Sequence, residues 1–293
     1  METTRPLFSV LIANYNNGRY LQEAIDSVLT QKYTNWEIVL VDDKSTDNSF
    51  EVYNKYKEDR RFRVFFNEEN RGCGYTKRRC VELANGEICG FLDSDDSLEI
   101  DALEIMVEAH IKNPNVSLAY SLFNLMDEKM KFLSVSNIQK PVPEGRSLLD
   151  GQVVSHFATF KKVSYNKTDG IDSCYKSAED HDLYYKLEEV GDLVFVDKAL
   201  YNYRTNTGQN ISYGVNFHKA FFWHLLAMTE ACRRRGMESK IEKLVFPDFM
   251  FCLDDYASQK VEKEVGKIRR SRAYRLGKFL LKPIVKLKQA FVK

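Results

Sequence analysis

The sequence lacks the features that mark membrane-spanning, secreted and metal-stabilised proteins. No segment approaches the roughly 18 consecutive apolar residues of a transmembrane helix. Residues 1–6 contain no apolar signal core, so secretion is not expected. The six cysteines form no Cys-x-x-Cys pair and have no histidines at zinc-site spacing, which argues against a structural zinc site and a disulfide scaffold. These absences favour a cytoplasmic location.

Proline and glycine are scarce, with 6 and 14 among 293 residues, and no internal repeat or low-complexity segment is present. The 44% hydrophobic and 29% charged residues are typical of a globular protein. The net charge of +1 hides an asymmetry. Residues 267–293 contribute ten positive charges and no acid, so residues 1–266 carry a net charge of −9. A basic tail on an acidic body predicts a separate partner for the tail.

Apolar runs of strand length alternate with helical periodicity through the first 120 residues. The predicted strands are Phe8–Ala13, Trp36–Val41, Phe62–Phe66, Ile88–Leu92 and Val116–Tyr120. Strand and helix in alternation predict an α/β fold with a parallel sheet and right-handed crossovers.

Beyond residue 120 the pattern becomes irregular. Prolines and glycines between residues 121 and 177 predict loops and short antiparallel strands. The later predicted elements are a helix at Glu179–Val190, strands at Leu193–Val196 and Leu200–Tyr203, and helices at Phe217–Arg235 and Ile241–Gln259.

The stretch Gly86–Asp96 ends a short apolar run in three carboxylates, Asp93, Asp95 and Asp96. We expect a buried strand with the acids just past its carboxyl end. Carboxylates this close repel one another unless a cation or hydrogen bonds neutralise them, and a divalent metal that carries a diphosphate would do so. A solvated acidic turn that caps the next helix is the alternative.

Polar or acidic clusters also follow the first three predicted strands, at Asn14–Asn17, Asp42–Asp43 and Asn67–Gly72. Strand-to-helix turns of a parallel sheet share one edge, so four clusters in register predict a ligand site at that edge.

Five segments in order resemble the signature of family-2 glycosyltransferases: Val10–Asn16, Val41–Asp47, Asn70–Gly72, Ala84–Glu87 and Phe91–Asp96. The resemblance is dense over Phe8–Tyr120 and looser over Ala178–Ser212. It implies the A-type, nucleotide-diphospho-sugar transferase fold, a mixed α/β sheet flanked by helices. The expected regions are a transferase domain at 1–215, with its nucleotide-binding half at about 1–120 and its acceptor half at about 121–215, a helical extension at 216–266 and a basic tail at 267–293.

The resemblance also implies a donor site, with a uridine-linked sugar as the expected donor. Asp43 matches the acid that accepts the uracil N–H, with a turn or N-cap role as the alternative. Ala13 and Tyr15 match positions at the base, although Tyr15 could instead be packed under a loop. Asp95 matches the direct ligand of Mn²⁺ or Mg²⁺, and Asp93 matches the contact to ribose or to metal-bound water.

Cations for the diphosphate are expected at two places. Where family members place an arginine, this chain has Lys77, followed by Arg78 and Arg79. A lysine binds phosphate as a point charge and not as a fork, and which of the three points inward is left open. Arg204, beside a segment that closes over the diphosphate in related enzymes, is expected to be a second contact.

The segment Ala178–Leu183 resembles the Glu-Asp of the family's acceptor region, which implies that Asp180 is the base. A helix N-terminus holds a carboxylate ionised, so Asp180 needs burial or close contact with the sugar hydroxyl in order to accept a proton. Ordinary acids of a helix N-terminus are the alternative. His181 is expected to be a neighbour of the base and not a catalyst.

We therefore expect an inverting, metal-dependent transfer of a sugar to a hydroxyl of an acceptor glycan or lipid-linked saccharide. The Gln-x-x-Arg-Trp motif of processive members is absent, so a non-processive enzyme is expected. The alternative is a non-catalytic glycan- or nucleotide-binding module of the same fold. A nucleotidyltransferase would require a Gly-rich loop after the first strand, and Asn14–Gly18 contains one glycine.

The tail has the pattern of a basic amphipathic helix, with an apolar stripe at Leu276, Phe279, Leu280, Pro283, Ile284, Leu287 and Phe291. This predicts peripheral contact with an anionic surface at the inner face of the cytoplasmic membrane. Docking on the acidic body is the alternative. Few aromatic residues interrupt the basic run, so no nucleic-acid partner is expected.

Overall fold

The computed structural model describes residues 5–151, 154–205 and 217–245, and then residues 250, 258, 260–263, 265–267 and 270. The chain divides into two compact units, Met1–Val245 and Phe246–Lys293, and the sheet lies in the first. The expected domain limits at residues 215 and 266 remain predictions. The predicted amphipathic stripe of the tail lies outside the described residues.

The described strands form one mixed sheet with the order β3-β2-β1-β4-β8-β6-β9-β5, and β7 pairs with β6 beside this path. The strands are β1 (Phe8–Asn14), β2 (Trp36–Asp42), β3 (Phe62–Phe66), β4 (Ile88–Phe91), β5 (Ser97–Leu98), β6 (Val116–Met126), β7 (Phe132–Val135), β8 (Ala158–Lys161) and β9 (Asp192–Arg204).

The described α-helices lie between these strands and after them. They are α1 (Gly18–Leu29), α2 (Ser49–Tyr53), α3 (Cys73–Leu83), α4 (Ala102–Lys112), α5 (Lys162–Tyr165), α6 (Glu179–Glu188), α7 (Phe217–Arg234) and α8 (Ile241–Leu244). In this part of the chain, no helix combines the length and the apolar character needed to cross a bilayer.

The first half of the sheet is parallel, as the alternation of strands and helices predicts. β1 pairs in parallel with β2 and β4, and β2 pairs in parallel with β3. All of β2 and nearly all of β1 are buried, which explains their mostly apolar sequences. Because these strands point the same way, the four polar clusters after them meet at one edge.

A glycine allows the turn before β4 to pass against β1. A Cβ atom added to Gly86 would lie 2.5 Å from Oγ of Ser9 and 2.7 Å from its backbone nitrogen. The Gly86 N–H donates to that same Oγ, which in turn donates to Glu37 of β2. Any side chain at residue 86 would push β4 away from β1, so the glycine is required by close approach.

The second half of the sheet contains the antiparallel strands that the irregular segment predicts. β8 lies between β4 and β6 and is antiparallel to both. The predicted strand Val116–Tyr120 is the first part of β6, which runs on to Met126 and pairs in parallel with β9. The prediction of two strands at Leu193–Val196 and Leu200–Tyr203 is wrong, since both belong to β9. The pairing passes from Val196 to Ala199, so the exposed residues between them form a bulge and do not end the strand.

Helices α6 and α7 begin at the predicted residues and are joined by ion pairs. The buried carboxylate of Asp182 on α6 lies 2.6 Å from Lys186 Nζ and 3.4 Å from Arg234 Nη1 on α7. α2 ends at Tyr53 and is followed by a short 3₁₀ turn, Asn54–Tyr56. The predicted helix Ile241–Gln259 begins at the predicted residue as α8, and most of its remainder lies outside the described residues.

Candidate active site

The polar clusters line one cavity of about 670 Å³ at the carboxyl ends of the parallel strands. Seven of the eight residues that the sequence assigns to the site line it: Ala13, Tyr15, Asp43, Lys77, Asp93, Asp95 and Asp180. Arg204, the eighth, is not among the lining residues. The cavity walls come from the turns after β1, β2 and β4 and from the N-termini of α3 and α6.

Asp43 fixes the loop before α3. Its Oδ1 accepts hydrogen bonds from Asn67 Nδ2 at 2.7 Å and from the Arg71 N–H at 2.9 Å, and its Oδ2 accepts from the Gly72 N–H at 2.8 Å. Gly72 has a φ of 85°, which a glycine adopts without strain. The carboxylate therefore has a structural role at the cavity wall, and its contact with a base N–H stays a prediction.

The turn after β1 lines the cavity and also contacts the acidic loop that follows β4. Tyr15 is 49% exposed and so is not packed beneath a loop. Asn17 Nδ2 donates to Ser94 Oγ at 2.9 Å and thereby joins this turn to the acidic loop 93–96. Asn17 and Ser94 lie inside the polar clusters of the sequence, but no pattern there predicts this hydrogen bond.

The carboxylates of the acidic loop face different surroundings. Asp93 and Asp95 line the cavity, whereas Asp96 is buried and accepts hydrogen bonds from Tyr201 Oη at 2.8 Å and the Arg204 N–H at 2.7 Å. Burial and the charge of Asp93 raise the pKa of Asp95 to about 6. Burial and the two neighbouring carboxylates raise the pKa of Asp96 well above its usual range. The two hydrogen bonds to Asp96 therefore fix the acidic loop to β9.

The acidic loop fits a divalent cation through the chemistry of its donors. Asp93 and Asp95 present hard oxygen ligands, and their mutual repulsion favours a positive charge in the cavity. Among the described residues, no group of three or more His, Cys, Asp or Glu side chains is arranged to hold a metal. A bound cation would therefore take further oxygen ligands from substrate or water.

Lys77 is the residue of the basic triplet that lines the cavity. Its Nζ lies 2.9 Å from Glu179 Oε1 and 3.9 Å from Asp93 Oδ1. Burial acts to lower the pKa of Lys77, but Cys73 and the carboxylates of Glu179, Asp93 and Asp180 raise it well above its usual range. The arginines face elsewhere: Arg78 pairs with Glu82 at 3.0 Å, and Arg79 donates to the Phe66 carbonyl at 2.6 Å.

Asp180 is the second residue of α6 and lines the cavity. Burial acts to raise its pKa, but His181, Lys77 and His156 and the His181 N–H hydrogen bond lower the pKa of Asp180 to about 2. His181 Nδ1 lies 4.0 Å from Asp180 Oδ1 and 3.2 Å from Nδ1 of His224 on α7. The carboxylate is therefore ionised at neutral pH.

Arg204 lies beneath the cavity and holds the acidic loop. It is 3% exposed, and its guanidinium donates to the Asp95 carbonyl at 2.6 Å, the Glu128 carbonyl at 2.7 Å and Glu23 Oε2 at 2.6 Å. These bonds use all three guanidinium nitrogens. The expected contact between Arg204 and a diphosphate stays a prediction, and the observed contacts give this residue a supporting role for Asp95 and Asp96.

Several lining residues carry no signal in the sequence. Glu179 belongs to the recognised Glu-Asp pair, but its ion pair with Lys77 has no sequence pattern. His156, Lys176 and Tyr203 also line the cavity. Burial acts to lower the pKa of His156, and Asp93 and Asp180 act in the opposite direction. These residues come from the irregular segment and from β9, which belong to the second half of the sheet.

A mixed α/β sheet with a carboxylate-lined cavity at the carboxyl ends of its parallel strands defines a class of fold, the A-type glycosyltransferase fold. Comparison with solved structures confirms that fold. A S. aureus TarS fragment in complex with UDP-GlcNAc matches with a TM-score of 0.65 and 19% identity, over 85% of this chain and 80% of that one. The mannosyltransferase PcManGT from Pyrobaculum calidifontis, in complex with GDP-Man and Mn²⁺, matches with a TM-score of 0.60 and 15% identity, over 94% and 83%.

Within that class, the chain belongs to glycosyl transferase family 2, whose family model matches residues 9–174. It is a glycosyltransferase. Chondroitin synthase from Escherichia coli is 30% identical over 207 residues, which are 71% of this chain and 30% of that protein. This chain thus spans less than a third of the length of that relative. Asp180 lies beyond residues 9–174, the range that the family model matches, and its assignment comes from the looser part of the resemblance.

Proposed function

We propose that the chain transfers a sugar from a uridine diphosphate donor to a hydroxyl of an acceptor glycan or lipid-linked saccharide, with inversion at the anomeric carbon. The observation that carries this proposal is the convergence of Asp43, Asp95 and Asp180 on one cavity. These three carboxylates come from distant parts of the chain. Asp43 would lie at the nucleobase, Asp95 at the diphosphate and Asp180 at the acceptor hydroxyl.

The donor would extend along the parallel edge of the sheet. Tyr15 and Ala13 would line the uracil ring, Asp43 would accept its N–H, and Asp93 would contact the ribose. Lys77 is kept charged by its acidic neighbours, so it would balance charge on the diphosphate as a point charge. The TarS fragment in complex with UDP-GlcNAc supports a uridine donor at this kind of site.

Asp95, with Asp93 beside it, would hold Mn²⁺ or Mg²⁺. Such a cation, when bound, supplies a Lewis acid that neutralises charge developing on the departing diphosphate. PcManGT in complex with GDP-Man and Mn²⁺ supports this assignment. Arg204 and Asn17 would keep the acidic loop in place through their hydrogen bonds to the Asp95 carbonyl and to Ser94.

Asp180 would act as the base. As the acceptor oxygen forms its bond to the anomeric carbon, the bond from that carbon to the diphosphate oxygen breaks, and the hydroxyl proton moves to Asp180. One displacement from the side opposite the leaving group inverts the anomeric centre. Because the pKa of Asp180 is about 2 in the unbound protein, it is a weak base before the reaction. The proton therefore moves as the new bond forms.

The acceptor class is inferred from the similarity to polysaccharide synthases, and the cellular location from the basic tail. The similarity to chondroitin synthase supports a growing polysaccharide as the acceptor class. We propose a non-processive enzyme in the cytoplasm, with the basic tail in contact with the inner face of the cytoplasmic membrane.

A donor screen tests this function. The wild-type chain is incubated with UDP-sugars and Mn²⁺ or with EDTA, and release of UDP is measured in the presence of oligosaccharide acceptors. We expect metal-dependent release from the wild type. We expect a loss of about 10³-fold in Asp180→Asn with unchanged UDP binding, since general-base catalysis contributes about 10²–10⁴-fold. Asp197→Asn, at an exposed position on β9, is the control.

Two results would contradict the proposal. Normal turnover in Asp180→Asn would remove this residue as the base. UDP binding without UDP release from any donor and acceptor pair would favour the non-catalytic binding module.

A further inference from the structure

His156 forms part of the cavity wall and is held there by aromatic stacking. Its ring lies 4.8 Å from the Tyr201 ring with an interplanar angle of 13°, and 5.2 Å from the Tyr203 ring with an angle of 16°. Phe123 packs edge-on at 5.9 Å. The His156 carbonyl accepts a hydrogen bond from Gln139 Nε2 at 2.6 Å. The ring and its backbone are thus fixed from several directions.

The stack is also tied to the acidic loop. Tyr201 is fully buried, and its hydroxyl donates to Asp96 Oδ2 at 2.8 Å and accepts from the Asp93 N–H at 3.1 Å. The position of the imidazole is therefore coupled to the position of the loop proposed to hold the cation. A side chain fixed in this way loses little conformational entropy when it binds a ligand.

The imidazole retains unused hydrogen-bonding capacity toward the cavity. In the described part of the chain neither ring nitrogen has a hydrogen-bond partner, and Nδ1 is 4.0 Å from Asp93 Oδ2. The side chain is 26% exposed. Because stacking covers the ring face, the edge with its two nitrogens is the polar part that the cavity can reach. A neutral imidazole edge offers one donor and one acceptor.

The location of His156 matches the place of the transferred sugar. In the proposed function, on which this inference rests, the anomeric carbon lies between the diphosphate near Asp95 and the acceptor hydroxyl near Asp180. His156 lines the same cavity as Asp93 and Asp180, and its Nδ1 lies 4.0 Å from Asp93 Oδ2. A ligand there is a hexose ring, whose hydroxyls are donors and acceptors.

We propose that His156 determines donor specificity by hydrogen bonding to a hydroxyl or amide substituent of the transferred hexose. An epimer with that substituent in the other orientation leaves the fixed imidazole without its partner. A site built to hydrogen-bond a substrate group discriminates strongly against an analogue that cannot make the bond, because the buried polar groups stay unpaired.

Calorimetry tests this role without requiring turnover. The affinities of the wild-type chain and of His156→Phe are measured with Mn²⁺ for UDP, UDP-glucose, UDP-galactose, UDP-GlcNAc and UDP-GalNAc. Phenylalanine keeps the aromatic stack and removes both nitrogens. We expect the wild type to prefer one C4 epimer by about tenfold or more, and His156→Phe to reduce that ratio to about threefold or less. Affinity for UDP should change by less than about twofold, because the nucleotide contacts are elsewhere.

His110→Phe is the matched control, because His110 is buried in the core and does not line the cavity. It should keep the epimer ratio of the wild type. An unchanged ratio in His156→Phe, or equal affinities of the wild type for all the UDP-sugars, would overturn the proposal. The Asp180→Asn experiment tests transfer, and this experiment tests binding. The epimer ratio therefore decides the role of His156 even if the proposed function fails.

Discussion

At the scale of single residues, Lys77 and Glu179 are the most tightly coupled pair in the cavity. Both side chains are buried, and their charged atoms are 2.9 Å apart. Removing two charges from water is costly, and the attraction between them offsets that cost only while both are present. Glu179 also accepts a hydrogen bond from Cys73 Sγ at 3.3 Å. The pair therefore keeps a cation in the cavity in the absence of substrate.

Removing one partner of this pair should lower the free energy of unfolding by more than removing both partners. Lys77→Met leaves the Glu179 carboxylate buried without its cation, and we expect about 3 kcal/mol of lost stability, since loss of one partner of a buried pair costs roughly 3–5 kcal/mol. The double variant Lys77→Met, Glu179→Gln should be more stable than the sum of the single changes predicts, by about 2 kcal/mol. Urea denaturation of the four proteins measures this coupling.

The same proteins separate stability from function. UDP affinity should fall about tenfold in every variant that lacks Lys77, because the cation near the diphosphate is gone. Strictly additive losses of stability would mean that the two side chains do not stabilise each other, and full UDP affinity in Lys77→Met would exclude this lysine from the donor site.

At the scale of elements, the short buried strands of the first half of the sheet were predictable, and the long strand β9 was only partly so. β1, β2 and β4 are almost entirely buried, so their sequences are short, mostly apolar runs that can be recognised without tertiary information. β9 was divided wrongly because a polar bulge interrupts its apolar pattern, and the bulge exists only relative to β6. Local sequence contains no information about a partner strand 75–78 residues away.

His110 on α4 connects this helix to β8 and should make folding sensitive to pH. Its Nε2 lies 2.9 Å from Thr159 Oγ1, and its Nδ1 is buried without a partner among the described residues. Burial, with a smaller effect from Lys161, lowers the pKa of His110 to about 3. The folded state therefore holds this imidazole neutral at pH values where the unfolded chain protonates it.

The sign of the effect follows from proton binding. Between pH 6.5 and pH 3 the unfolded state binds more protons at His110, so stability falls as pH falls. From pH 7 to pH 5 this histidine should account for about 2 kcal/mol of lost stability. His110→Gln removes the titration, so the wild type should lose about 2 kcal/mol more than this variant over that interval. Urea denaturation at several pH values measures the difference, and parallel pH profiles of the two proteins would refute the assignment.

At the scale of the whole molecule, the site was predictable to the extent that topology determines it. Asp43 and Asp95 follow parallel strands, so their convergence follows from strand direction alone. Asp180 was reached through family resemblance, because α6 lies beyond the irregular segment. His156 and the buried contacts of Arg204 depend on how β8 and β9 pack against the parallel strands. Those contacts join residues more than 40 positions apart, so no periodic pattern in the sequence predicts them.

The charge distribution of the whole chain predicts a second binding surface in the tail. Ten basic residues and no acid lie in residues 267–293, which are mostly outside the described residues. Each basic residue near an anionic bilayer contributes about 1 kcal/mol, and a buried apolar stripe adds to this. The full-length chain should sediment with vesicles that contain phosphatidylserine, and a chain truncated before Lys267 should stay in the supernatant.

Two controls separate the membrane from the acidic body as the partner of the tail. Binding to phosphatidylserine vesicles should fall in high salt, because screening weakens surface electrostatics. It should also fall when Lys278, Lys282 and Lys286 are changed to glutamine, while vesicles of phosphatidylcholine alone should bind neither protein strongly. If the tail instead docks on the body, its charges are already neutralised there, and the full-length and truncated chains would sediment equally. Equal sedimentation would therefore exclude the membrane as the partner, because a basic amphipathic helix that is free to reach an anionic surface binds it.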